Sequence, residues 1–165
     1  MKWLLGIGLL AVILLAAGIK FAVSRKPPAP VQPIAFSHKI HAGEYHIACE
    51  YCHIYARRAS VAGIPSVERC MGCHKITAAA NPEVQKLKGY WDRKQTIDWT
   101  QVTSVADYVY FEHSPHIKAK IACQTCHGPV ETMERLTNNT NLTMDYCVSC
   151  HRQRQASIDC AICHR

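Results

Sequence analysis

The chain has 165 residues, a formal net charge of +7, and ten cysteines matched by ten histidines. That length holds one domain plus an appendage. The basic balance comes with no reader motif and no basic stripe, which excludes the nucleic-acid-binding class.

Trp3 to Ile19 form 17 consecutive residues without a charge, and Phe21 to Val23 extend the run past Lys20. A helix over this stretch is roughly 30 Å long, enough to span a bilayer, with Lys20 snorkelling to the interface. A cleaved signal peptide is the competing reading. No convincing small-x-small site precedes Ser24-Arg25-Lys26, so residues 1–26 are expected to form an uncleaved transmembrane anchor. Residues 27–35, with Pro27, Pro28, Pro30 and Pro33, are expected to form a stiff, extended linker.

Phe36-Ser37-His38-Lys39-Ile40-His41 follows, then His46, then Cys49-Glu50-Tyr51-Cys52-His53 and Cys70-Met71-Gly72-Cys73-His74. The Cys-x-x-Cys-His spacing is the attachment signature of a c-type haem: the thiols bond to the porphyrin vinyl groups and the adjacent histidine binds iron. Residues 75–110 carry neither cysteine nor histidine. Asn81-Pro82-Glu83 reads as a helix start, with Asn81 as cap and Pro82 at the first position, and Gly89 suggests the end of that helix. Trp99, Val102, Val105, Tyr108 and Tyr110 then lead to Phe111-Glu112-His113-Ser114-Pro115-His116. These aromatics are read as haem-edge or subunit packing rather than partner recognition. Three more motifs complete the chain: Cys123-Gln124-Thr125-Cys126-His127, Cys147-Val148-Ser149-Cys150-His151 and Cys160-Ala161-Ile162-Cys163-His164.

Every cysteine belongs to a motif. Zinc ribbons use Cys-x-x-Cys in pairs and need no histidine directly after the second cysteine; five disulfides would leave the repeated histidines unexplained. Covalent haem, five in number, is therefore the expected cofactor. His53, His74, His127, His151 and His164 are the expected proximal ligands. His38, His41, His46, His113 and His116 remain, one for each sixth position. Bis-histidine iron is low-spin, carries electrons and leaves no position for a substrate. Met133 and Met144 are the competitors for a His/Met site, and methionine is more often packing material. His46 lies outside the repeated pattern.

That pattern is an internal repeat, 36–74 and 111–151, to which 160–164 is an addition. Histidines three apart on a helical turn point to one side. Each haem has one axial position left, so His38 and His41 must serve two different irons and hold two haems together; the same holds for His113 and His116. Spacing does not say which histidine takes which haem.

About 130 residues then remain for five haems, too few for a conventional apolar core. The expected fold of 36–165 is a mainly irregular, short-helical multihaem cytochrome c domain wrapped around its haems. Its apoprotein is expected to be largely unfolded. The Lys and Arg excess is read as compensation for haem propionates, with Arg57-Arg58 a candidate pair. Counted alone, Lys20, Arg25 and Lys26 against Lys2 would put the C-terminal side in the cytoplasm. Haem attachment takes place on the outer side of the bacterial membrane, so a periplasmic haem domain on a single-pass anchor in the cytoplasmic membrane is expected.

Beyond the motifs, several joining segments carry a resemblance. They are Phe36 to His41, Ala62-Gly63-Ile64-Pro65-Ser66, Tyr90-Trp91, Tyr108 to His113, Gly128-Pro129-Val130 and Leu142 to Cys147. From about residue 36 onward the chain resembles the membrane-anchored pentahaem cytochrome subunit of alternative complex III. The related menaquinone reductase complex, whose multihaem subunit has an added haem, is the runner-up. The resemblance implies an electron relay without catalysis of its own. Its implied partners are polytopic quinol-binding membrane subunits, an iron–sulfur subunit, and a monohaem cytochrome c or copper protein as acceptor. It also implies bis-histidine coordination by the ten histidines. A stand-alone quinol dehydrogenase feeding a periplasmic reductase usually places a haem motif close to its anchor, whereas Cys49 lies some 23 residues beyond Lys26. A multihaem reductase needs an open or lysine-ligated haem, a reading that revives if His46 is not a ligand.

Overall fold

A computed structural model describes residues 2–23, 29–138 and 140–164, with the side chains of 2–5, 7, 9–11 and 21–23 outside the description. Among the described residues there is no β-strand. The helices are α1 (Lys2–Val23), α2 (Cys49–Cys52), α3 (Val67–His74), α4 (Pro82–Asp92), α5 (His113–Lys118), α6 (Cys123–His127), α7 (Met144–Gln153) and α8 (Cys160–Cys163). A π-helical turn spans Lys39–Glu44 and a 3-10 turn Val130–Thr132. The short-helical, irregular expectation for 36–165 agrees with this.

Each Cys-x-x-Cys is a helical turn, which puts both thiols on one face. Turns this short do not hold themselves. The α3 and α7 turns are capped by side chains: Ser66 accepts from the Arg69 amide and Thr143 from the Tyr146 amide. Asp159 caps α8 through the Ala161 amide. In α2 and α6 the residue before the helix is Ala48 or Ala122, with no side-chain cap.

The apolar core is small and one-sided. Ile34, Met71 and Leu87 are buried together, with Val67, Tyr90, Trp91, Ile97 and Trp99 packed around them. This cluster joins α3 to α4 and lies in the first unit and the segment after it. Helices α5 to α8 bury no residue. The accessible surface is 12762 Å², against about 8,200 Å² for a compact chain of this mass. Helix α1, exposed from Val12 to Lys20, contributes to this surface.

Helix α4 starts as the sequence predicts, with Asn81 Oδ1 accepting from the Glu83 amide at 2.8 Å. It continues past Gly89 to Asp92, because Tyr90 and Trp91 pack against the core and hold the last turn. The second half of the expected stiff linker is tied to the domain. Gln32 exchanges two hydrogen bonds with the Thr100 backbone, at 2.8 and 2.9 Å. The Ala35 amide donates to Glu83 at 2.7 Å, and Ile34 is in the core. Pro27 and Pro28 lie outside the described residues.

The anchor expectation falls partly outside the description as well. The α1 backbone runs 22 residues, and the described part, Val12 to Ile19 among it, is exposed. Among the described residues no helix is long and apolar enough to cross a membrane.

Candidate haem-binding sites

The structure answers which histidines meet. His41 faces His74 with ring centroids 6.0 Å apart. His113 faces His127 at 6.2 Å with rings parallel to 2°. His116 faces His151 at 6.0 Å. A metal held about 2.0 Å from a nitrogen of each of two imidazoles sets ring centroids about 6 Å apart. His53 is the imidazole that most opposes charging of His38, which associates the first motif with the first histidine of the pair. The paired histidines therefore face two different motifs in each unit.

A shared device orients these rings. Imidazole Nδ1 lies against a backbone carbonyl in His53 (Gly63, 2.6 Å), His74 (Thr77, 2.9 Å), His151 (Ser157, 2.6 Å) and His164 (Tyr108, 3.2 Å). The same holds for His41 (Ser37, 2.8 Å), His113 (Ser60, 2.5 Å) and His116 (Glu112, 2.7 Å). A carbonyl accepts only, so Nδ1 carries the proton and Nε2 is left as the donor to a metal. Phe36 stacks on His41 at 4.4 Å and meets His38 edge-on at 4.9 Å. Phe111 repeats both contacts, tilted over His116 and edge-on to His113, each at 4.8 Å. The phenylalanine of the repeat is thus the wall that fixes both imidazoles.

Burial disfavours the charged form of two of these rings. It pushes His38 down to about 4, with His53 and His41 adding in the same direction. It also lowers His127, again helped by neighbouring imidazoles. Neutral imidazole is the ligating form. The Nδ1 of His38 is buried without a hydrogen-bond partner, which is costly for a polar atom in a closed protein interior. All ten cysteines are free of disulfides. Among the described residues no group of three or more His, Cys, Asp or Glu side chains is arranged to hold a metal ion directly. Thiol pairs beside facing imidazoles suit a tethered macrocycle instead, and the donor set fits haem c.

The motifs also stand in a spatial order. Burial is the main cause that raises Cys70, with the Cys52 thiol adding to it, and Cys73 adds to burial in raising Cys52. Cys49 is the thiol that adds to burial in raising Cys123. Cys126 lies near Cys147 and Cys150, and Cys147 near Cys163. Hydrogen bonds give the same neighbours. His113 reaches the Ser60 carbonyl of the first unit. The Lys39 amide donates to the Met133 carbonyl at 3.0 Å, and the Tyr146 hydroxyl donates to the Thr125 carbonyl. The Tyr110 amide donates to the Cys163 carbonyl at 2.8 Å. The row runs second, first, third, fourth, fifth motif.

Two expected site residues stand apart. His46 is exposed on a left-handed backbone (φ 53°), and no ring contact brings it to His164. The ring against His164 is Tyr108, 5.7 Å away. Met133 is buried beside the π-helical turn, while Met144 is exposed at the start of α7. Arg57 is engaged by Glu50 at 2.8 and 3.0 Å. Of the aromatics between the units, Trp99 packs on the core, whereas Tyr108 and Tyr110 are exposed.

The carbonyl acceptors are functional positions that sequence reading does not find, since every residue has a carbonyl. Gly63 is the exception with a signal. Its φ of +78°, and the Tyr55 ring 2.8 Å from where a Cβ would sit, both call for glycine.

Comparison with known proteins gives three likenesses. The family described as class III cytochrome c matches residues 18–101, just over half the chain. The family described as cytochrome c7 and related cytochrome c matches residues 109–165. The menaquinone reductase multiheme cytochrome c subunit of Nitratidesulfovibrio vulgaris (strain Hildenborough) is 27% identical over 161 residues, covering 81% of this chain and 77% of that protein.

Proposed function

Because the chain belongs to the class III cytochrome c family, we propose that it is the electron-transfer subunit of a membrane complex of the menaquinone-reductase type. Multihaem electron transfer is the family's chemistry; the complex is our reading. The likeness to the menaquinone reductase subunit along most of both chains carries it. A menaquinone reductase delivers electrons to quinone, so the chain would accept them from a periplasmic donor and pass them towards membrane partners. Residues 1–26 would anchor it, with the haem domain on the periplasmic side.

Haem c bound at the five motifs would supply reversible one-electron storage at iron. The chain's residues do the rest. Cys49 and Cys52, Cys70 and Cys73, Cys123 and Cys126, Cys147 and Cys150, and Cys160 and Cys163 would tether five macrocycles. His53, His74, His127, His151 and His164 would hold each iron from one side, and His38, His41, His113 and His116 four of them from the other. Nδ1–H donation to carbonyls fixes the tautomer and raises the basicity of Nε2. The order of motifs makes a single row whose ends are the second and the fifth.

The five motifs favour a second reading, the pentahaem subunit of alternative complex III, in which electrons leave quinol and run outward to a cytochrome, copper protein or oxidase. Purification from membranes in mild detergent separates the two. A complex that carries polytopic subunits and whose prereduced haems are reoxidised by a menaquinone analogue is the expected result. Haems that are instead reduced by menaquinol and then pass electrons to a soluble acceptor would establish the second reading. A chain that purifies alone and takes electrons from quinol would sink both.

A further inference from the structure

The fifth motif has a complete proximal side and a different far side. Cys160 and Cys163 lie on one turn capped by Asp159. His164 points Nδ1 at a carbonyl, as the other oriented rings do. Six of the remaining histidines are accounted for by one another, as three pairs that face across about 6 Å, and His38 lies in the first unit, edge-on to the Phe36 ring that stacks on His41. Only His46 is left for the fifth iron. It belongs to the first unit, three residues before the first motif, just after the turn whose Gly43 is pressed against the Glu131 carbonyl. The fifth motif closes the other end of the row, tied by the Tyr110 amide to the Cys163 carbonyl.

Around His164 the described side chains are not ligands of the bis-histidine kind. The Tyr108 ring lies 5.7 Å from the His164 ring and tilted 31° to it, while the Tyr108 carbonyl takes Nδ1. A side chain whose own carbonyl receives the far nitrogen flanks the imidazole instead of facing it across a metal. The apolar side chains around it are exposed: Tyr108 (70%), Ile158 (52%) and Ile162 (48%).

We propose that the chain supplies no distal imidazole at Cys160–His164, so that this site takes a small exogenous ligand such as a diatomic on the iron. The inference rests on the five-haem reading above. Four sites would be closed by paired histidines and would carry electrons only; the terminal one would bind as well.

The test uses the full-length, haem-loaded protein. Intact mass first counts the attached haems, then the reduced protein is titrated with carbon monoxide and the Soret band followed. Five haems and one carbon monoxide per chain are expected, with a high-spin signal in the oxidised protein. His46→Ala is expected to bind no additional carbon monoxide. Five haems with no carbon monoxide bound, or a carbon monoxide site that appears only in His46→Ala, would overturn the inference and leave the five-haem reading standing. Four haems, with Cys160 and Cys163 still reactive as thiols, would overturn both.

Discussion

The two haem units carry the same ligand geometry on different supports. In each, a phenylalanine stacks on the second histidine of the pair and meets the first edge-on. In each, the second histidine bonds the carbonyl four residues back and faces the second motif at 6.0 Å. Yet the first pair sits on a π-helical turn and the second on an α-helix containing Pro115. The first unit leans on the Ile34–Met71–Leu87 core, while helices α5 to α8 bury nothing. Ligand geometry is thus separable from protein packing, and a unit with almost no apolar core can still place its imidazoles.

Breaking the shared part gives the largest effect. His41→Ala and His116→Ala each remove one proposed distal ligand and should each convert one haem from low to high spin. The double variant should convert two. Counting high-spin iron by electron paramagnetic resonance checks this; a double variant that matches either single one would mean that the two units do not bind alike.

Breaking the unshared part separates the units. Leu87 is 5% exposed, and Leu87→Ala should cost about 2–5 kcal/mol by cavity formation, read as a lowered midpoint in thermal unfolding. Met144→Ala, at a side chain 67% exposed in the second unit, should stay within about 0.5 kcal/mol and leave the low-spin spectrum unchanged. A large loss in Met144→Ala would show that the second unit has an apolar support of its own.

Much of this was legible in the sequence, for a physical reason. Haem attachment needs covalent residues at fixed spacing, so Cys-x-x-Cys-His reads directly, and one axial position per iron forces His38 and His41 onto different haems. The partner of each remained open, because His41 meets His74 through folding of the 32 residues between them, not through any local pattern. The Nδ1 acceptors were hidden for a similar reason: Ser37, Ser60, Glu112 and Thr77 act through carbonyls that carry no residue signature. His46 illustrates the limit of counting. Ten histidines for ten positions suggest a ligand, while in the structure His46 is exposed on a left-handed backbone with no ring contact to another imidazole among the described residues. The prolines of 27–35 read as a stiff, extended linker, and they give no sign that Gln32 and Ile34 bind its second half to the segment after the first unit.

The smallest effect probes equivalent positions with unlike side chains. Ser37 and Glu112 both precede the first histidine of a pair, and both give their carbonyl to the second. Only Ser37 is buried, donating to Glu134 at 2.8 Å and accepting from the Ile40 amide at 3.2 Å. Ser37→Ala should therefore cost about 1 kcal/mol, and Glu112→Ala much less. The Ser37 hydroxyl, and then Lys39, hold the Glu134 carboxyl below its ordinary value. A depressed carboxylate contributes stability above its unfolded pKa and loses it as pH falls through the folded one. The gap between wild type and Ser37→Ala should then be widest at neutral pH and narrow on acidification below about pH 4. It should not close, because the Ile40 amide loses its partner at every pH. Thermal midpoints of both proteins across that range decide it: a gap that stays constant would place the whole effect in the Ile40 bond and none in Glu134.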